Sequence, residues 1–266
     1  MSNMMSHSEV GRHLREWRQR RRMSQLDLAL EAEISTRHLS FLETGKSQPS
    51  RDMLLNLCDR LNVPLRERNT LFIAAGYAPV FAQRPLADPA LRQARAAVDL
   101  VLKGHEPYPA LAVDRHWTLV SANRAVAPLL AGAAETLLKP PVNVLRLSLH
   151  PDGLAPRIAN LPEWRAHLLD RLRQQVEVTA DPVLAALLEE LRALPAPISR
   201  SPPAPDRNGG VVVPLQLATE AGVLSLFSTT TVFGTPVDVT VSELAIESFF
   251  PADEATERML RGGKVR

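Results

Sequence analysis

The stretch SQLDLALEAEISTRHLSFLETGK, residues 24–46, decides how this chain is read. Ser24 precedes a run in which Leu28 and Ala29 share one helical face, and Ser35 precedes a second run, TRHLSFLET, that stops at Gly45. A serine hydroxyl at such a start accepts from the free N–H groups of the first helical turn. A glycine just past the end takes the left-handed conformation without a steric cost. Ala32-Glu33-Ile34 leaves room between the runs only for a tight turn. In the second run Ile34, Leu39 and Leu42 fall on one side, which sets Thr36, Arg37, Ser40 and Phe41 on the other.

Working outward, residues 9–78 read as an all-α domain of five short helices. Leu14 and Trp17 mark the inner face of a helix before the pair. After it, Pro49 breaks the chain, Ser50 caps, and Leu54, Leu57, Cys58 and Leu61 recur at helical spacing, so Cys58 reads as a core residue. A last helix, LRERNTLFIAAGY, follows Pro64 and ends near Gly76.

Two short helices joined by a tight turn, the second with a polar face at its start, form the unit that enters a DNA major groove. Arginine bonds guanine through two donors, and serine or threonine pairs with several base edges. Ser35, Thr36, Arg37 and Ser40 are therefore the candidate base contacts, with Phe41 placed to touch a thymine methyl. Gln25, Lys46, Ser47 and Arg51 are the candidate phosphate contacts, which set register without reading sequence. The plainer alternative makes Gln25 and Ser50 helix-start residues and Arg37 a solvated charge.

The charge distribution points the same way. The net charge of +2 over 266 residues hides an asymmetry: residues 1–80 carry 12 Lys and Arg against 9 Asp and Glu, while the remainder carries 19 against 20. Arg12, Arg15, Arg18, Arg20, Arg21 and Arg22 crowd into eleven residues opposed only by Glu16, a cluster suited to a polyanion or to a solvated helix face. A single cysteine excludes an internal disulfide framework, and no Cys/His spacing suits a metal site. The first residues, MSNMMSHSEV, lack a secretory pattern, and no run of eighteen apolar residues exists. A cytoplasmic protein without a membrane span is expected.

The segment PVFAQRPLADP carries three prolines and little periodicity, so residues 79–90 are expected as a linker, 91–256 as a second domain and 257–266 as a tail. In the second domain a helix, LRQARAAVDLVLKG, precedes two alternating stretches, ALAVD and TLVSA, that turn at Asp114-Arg115-His116. Residues 143–194 return to helical spacing, with Asp181 capping and Pro182 at a first helical position. PAPISRSPPAPDRNGG reads as a proline-rich loop. VVVPLQLAT, GVLSLFSTTTVFG and VDVTVSELAIESFFPAD read as antiparallel strands. The domain is thus α+β, with strands from both ends sharing one antiparallel sheet around a helical insertion that packs over one face.

Leu111, Val113, Trp117, Val120, Leu224 and Phe227 are spaced to line a cavity under those helices or to fill an ordinary core. Arg157 and Trp164 lie in an apolar segment where an arginine can anchor a carboxylate head, or form an ion pair between helices. His150-Pro151-Asp152-Gly153 has turn chemistry rather than acid/base chemistry, and no nucleophile, phosphate loop or ligand cluster accompanies it. The protein is not expected to be an enzyme.

The residues of this span carry a family resemblance. Ser24, Gln25, Leu28, Ala29, Ala32, Ser35, Leu39, Ser40, Glu43 and Gly45 match the pattern of the Xre/Cro-type helix-turn-helix domain, from which Glu33 departs where that family favours glycine. HLREWRQRRR, PLRERNTLFIAAGYAP, HEPYPALAVDRHW, NVLRLSLHPDGLAPRIANLPEWRAHLL, FSTTTVFGTPVDVT and ELAIESFFPAD extend the likeness over nearly the whole chain. The chain resembles the MmyB-like transcription regulators. That resemblance implies a DNA-binding domain joined to a PAS-like ligand-binding domain holding a small apolar, fatty-acyl molecule, with no other cofactor.

The expectations are then a transcription regulator acting as a homodimer on a double-stranded operator with half-sites about 34 Å apart, and a small apolar effector in the second domain. The alternative is a protein-interaction module whose second domain is a ligand-free scaffold.

Overall fold

The computed structural model describes residues 2–195 and 212–262. Beyond Pro195 the expected proline-rich loop lies outside the described residues, as do residues 263–266 of the expected tail. The chain divides into two compact units. The first runs to Pro85 and also takes Thr235–Ser242, while the second takes Leu86–Gly234 and resumes at Glu243.

Five helices open the first unit: α1 (Ser2–Arg20), α2 (Gln25–Glu31), α3 (Thr36–Glu43), α4 (Arg51–Arg60) and α5 (Leu65–Ala74). Local chemistry sets their starts. The Ser24 hydroxyl accepts from the Asp27 N–H while the Asp27 carboxylate accepts from the Ser24 N–H, a reciprocal cap, and the Ser35 and Ser50 hydroxyls cap α3 and α4 by accepting from the His38 and Met53 N–H groups. Between α2 and α3, Glu33 sits at φ 57°, where a side chain costs about 1 kcal/mol, and Gly45 beyond α3 sits at φ 72° at no such cost.

The apolar faces meet in one core that includes Leu14, Leu28, Leu39, Leu42, Leu57 and Phe72. Cys58 belongs to it, and burial pushes its thiol pKa up to about 12. Gly11 lies in α1 with its α-carbon against α3: a β-carbon there would stand 2.4 Å from the Leu42 carbonyl oxygen.

The arginine run proves to be divided. Arg18 is buried on Glu43, and Arg21 donates from Nε to the Leu61 carbonyl and from its terminal nitrogen to that of Asn62. Arg12 pairs with Glu16, and Arg15, Arg20 and Arg22 are exposed. Two of the six therefore serve the fold, because their donors find acceptors far along the chain.

In the second unit come α6 (Arg92–Gly104), β1 (Ala110–Val113), β2 (Leu119–Ala122), α7 (Glu135–Leu138), α8 (Val144–Leu149), α9 (Leu161–Thr179), α10 (Pro182–Ala193), β3 (Leu215–Thr219) and β4 (Gly222–Val232). A short α11 (Val239–Ser242) follows in the first unit, and then β5 (Ala245–Pro251) and α12 (Glu254–Arg261) return to the second. The strands form one antiparallel sheet in the order β2-β1-β5-β4-β3, so β1 from the start of the unit pairs with β5 from its end. Leu111 lies opposite Glu247, Thr230 opposite Glu247 and Ser228 opposite Phe249, which brings these side chains to one face.

Helices α8, α9 and α10 cover that face with Leu145, Leu147, Trp164, Leu168 and Leu184. The other face is covered in part by α6, whose Val98 and Leu102 pack on Ala110, Ala112 and Ile246, so helices lie on both faces rather than on one. VDVTVS was expected in a strand because of its β-branched residues. Instead Asp238 accepts from the Thr240 N–H and starts the α11 turn, and Val239 is wholly buried. Residues 257–261, expected in a tail, continue α12, which Asp253 caps and Thr256 and Leu260 bury.

Candidate nucleic-acid interface and ligand cavity

Helix α3 is fixed from behind. Leu39, Leu42 and Glu43 form its buried side. Arg18 donates to Glu43 from Nε at 2.6 Å and from a terminal nitrogen at 2.9 Å, and its other terminal nitrogen donates to the Met23 carbonyl at 2.8 Å. The hydrogen bond to Glu43 raises the pKa of Arg18 further, so the guanidinium stays charged throughout. Gln25 adds a third bond, its amide donating to Glu43 at 2.8 Å.

The opposite side carries Thr36, Arg37, Ser40 and Phe41 together, as helical spacing requires. Ser35, Thr36 and Arg37 are exposed, and Ser40 and Phe41 are half-buried. Arg37 lies over the Phe41 ring at 5.4 Å and Lys46 over it at 5.7 Å, so two cations flank one aromatic edge of the face. The Ser35 hydroxyl caps α3 by accepting from His38 N–H, which leaves its proton free to donate outward. Lys46 and Arg51 are exposed and Ser47 half-buried beside this face, while Gln25 already has one amide proton on Glu43.

A cavity of about 100 Å³ lies between the sheet and α8 and α9, within the second unit. Its wall is mostly leucine, valine and aromatic, and among the residues expected there it includes Leu111, Trp117 and Trp164. The others lie elsewhere. Val113 and Leu224 are buried in the surrounding core, Val120 is 37% exposed, and Phe227 stacks on Phe250 at 5.4 Å. Arg157 donates to the carbonyls of Leu129, Ala131 and Ala218 and does not line the cavity, because a guanidinium near three unpaired carbonyls closes a loop rather than facing a ligand.

The arginine that does reach the cavity is Arg171 on α9, which sequence reading missed. It sits 4.6 Å over the Trp117 ring and pairs with Glu247 of β5. The available signal was its place three turns along the helix from Leu161, on the side that carries Trp164 and Leu168. His167 packs on Trp164 at 5.5 Å, and burial, with Arg171 nearby, holds its pKa below the ordinary imidazole value.

The family described as the MmyB-like transcription regulator ligand binding domain matches residues 94–262, and the helix-turn-helix family matches residues 14–68. The chain belongs to the MmyB-like transcription regulators. As an MmyB-like regulator it is a DNA-binding protein with a ligand-binding domain, and not an enzyme.

Among solved structures, the MmyB-like chain aligns with two crystal structures of the clp gene regulator ClgR from Corynebacterium glutamicum. One is 25% identical over 27% of this chain and 88% of that one, with a TM-score of 0.24. The other is 23% identical over 40% and 98%, with a TM-score of 0.25. An RNA-binding Light-Oxygen-Voltage receptor aligns at 15% identity over 97% and 64%, with a TM-score of 0.25. None of these alignments bears on the assignment. No curated protein matches. No described helix is long and apolar enough to cross a membrane.

Proposed function

We propose that this MmyB-like regulator reads a two-fold DNA operator as a homodimer and is controlled by a small apolar, fatty-acyl molecule held in the second unit. The observation that carries the DNA reading is α3 itself, with Thr36, Arg37, Ser40 and Phe41 presented on the side opposite the buried Glu43. Arg37 takes a guanine edge, Ser35, Thr36 and Ser40 pair with neighbouring bases, and Phe41 meets a thymine methyl. Lys46, Ser47, Arg51 and the remaining amide proton of Gln25 hold phosphates. One recognition helix contacts few bases, so two copies on paired half-sites supply the specificity. Such a protein works in the cytoplasm, where it meets its operator.

The effector reading rests on the apolar cavity and its two tryptophans. An effector changes DNA affinity only if it prefers one arrangement of the protein over another. Strands β4 and β5 reach the cavity at Ser228, Glu247 and Phe249, and they are joined through Thr235–Ser242, which belongs to the first unit. That chain connection is the route by which occupancy acts on the DNA-binding unit.

Selection of bound fragments from random duplex DNA, for the wild type and Arg37→Ala at two salt concentrations, tests the DNA reading. An inverted repeat that the variant fails to enrich is the expected result. No enrichment with flat salt dependence would favour the protein-interaction alternative, since phosphate neutralisation makes DNA binding fall steeply with salt.

A further inference from the structure

We propose that the cavity selects a neutral ligand with a hydrogen-bond-accepting carbonyl, such as an acyl ester or amide, over the free carboxylic acid of the same chain length. The proposal rests on the ligand-cavity reading above and narrows it to a head-group class.

Among the described residues, only two charged side chains line the cavity, Arg171 and Glu247, and they answer each other. Arg171 donates to the two Glu247 carboxylate oxygens at 2.5 and 3.0 Å, and to the Thr230 hydroxyl at 2.7 Å. Thr230 in turn donates to Glu247 at 2.9 Å. The face of the guanidinium is held on Trp117, and Glu247 is 4% exposed. A carboxylate arriving here meets no free cation. To bind Arg171 it must displace Glu247, which leaves a buried carboxylate without its partner beside a second negative charge.

The uncommitted polar groups are of another kind. The Ser228 hydroxyl lines the cavity and makes no hydrogen bond within the protein among the described residues. Ser148 accepts from the Trp164 indole N–H at 3.0 Å, so its own proton remains to be donated into the cavity. Two hydroxyl donors in an otherwise apolar wall suit a carbonyl oxygen that carries no charge. A bound ligand covers both half-buried hydroxyls, and donors covered without an acceptor are costly, which turns the same two serines into a filter against a plain alkane.

The test compares dodecanoic acid with methyl dodecanoate by calorimetry on the full-length protein at neutral pH. The ester is expected to bind at least about tenfold more tightly than the acid. In Glu247→Gln, which keeps the size and one oxygen but frees the cation, the acid is expected to gain about tenfold while the ester hardly changes. Ser228→Ala is expected to weaken the ester several-fold and leave the acid alone. Equal or tighter binding of the acid by the wild type overturns the proposal and leaves the cavity reading standing. Binding of neither molecule overturns both. Should Glu247→Gln fail to fold, as its melting curve would reveal, the wild-type comparison and Ser228→Ala decide the matter.

Discussion

Arg18 and Glu43, 25 residues apart, form a two-bonded ion pair in which neither residue is more than 8% exposed. It ties α1 to the end of α3 while Gln25 ties the start of α2 to the same carboxylate. Helix α3 therefore owes its position to a charge pair as well as to Leu39 and Leu42. Removing one partner of a buried pair leaves the other uncompensated, so Glu43→Ala should destabilise the first unit by about 3–5 kcal/mol. Urea unfolding followed through Trp17, buried in this unit, measures it. A loss below about 1 kcal/mol would mean that the pair is dispensable.

Arg37 stands on the opposite side of the helix, exposed and stacked on Phe41. Its removal leaves the buried side untouched. Arg37→Ala should weaken operator binding by about 1–3 kcal/mol and relax preference at one base position, with little change in melting temperature. Equal loss on operator and random duplex would assign Arg37 to phosphate instead.

What the sequence made legible was what local chemistry determines. Ser24, Ser35 and Ser50 announce their helices because a capping hydroxyl acts within three residues, and Gly45 marks a stop for the same reason. The hairpin of β1 and β2 and the sharing of one sheet with β5 followed from alternation and turns. Long-range partners were not legible. Nothing near Arg18 or Arg21 tells that their acceptors lie 25 and 40 residues on, and nothing near Arg171 points to Glu247, 76 residues away. Nothing in the sequence around Gly11 shows that its missing side chain is what lets α1 meet the Leu42 carbonyl. VDVTVS failed as a strand because one aspartate, Asp238, outweighs four β-branched neighbours by capping a turn.

Arg157 separates a structural arginine from a ligand anchor. Its three carbonyl acceptors, on Leu129, Ala131 and Ala218, close the loop before α7 onto β3. Arg157→Ala should cost about 1.5–3 kcal/mol of stability, the scale for hydrogen bonds from a charged donor, and leave ligand affinity unchanged once the protein is folded. Calorimetric titration of the variant below its melting temperature checks this, and a lost ligand would return Arg157 to the cavity.

Cys58 reports on the core of the first unit, in which it is buried. With its thiol pKa pushed up to about 12 by burial, only about one molecule in ten thousand carries the thiolate at pH 8, and the side chain is wholly covered. Alkylation of the native protein should therefore proceed only through opening of the first unit. The rate is expected to rise sharply in Glu43→Ala, in step with its lost stability. Rapid labelling of the wild type at pH 8 would show that the thiol is neither covered nor raised.

Asp238 concentrates two jobs in the segment that joins β4 to β5. One carboxylate oxygen accepts from Arg84 at 2.9 Å and the other from the Thr240 N–H at 2.9 Å, while the Val239 N–H donates to the Ala82 carbonyl at 2.8 Å. Asp238 is 4% exposed, so its loss leaves Arg84 and the Thr240 N–H without this acceptor and loosens the hold of Thr235–Ser242 within the first unit. Asp238→Ala should lower the local opening free energy by about 1.5–3 kcal/mol, accelerating hydrogen exchange at the Val239 amide by about tenfold or more. If occupancy of the cavity reaches the DNA-binding unit through this chain connection, the same variant should keep its operator affinity without ligand yet lose most of the change that saturating methyl dodecanoate produces. Faster exchange with an undiminished ligand effect on DNA binding would place the coupling elsewhere.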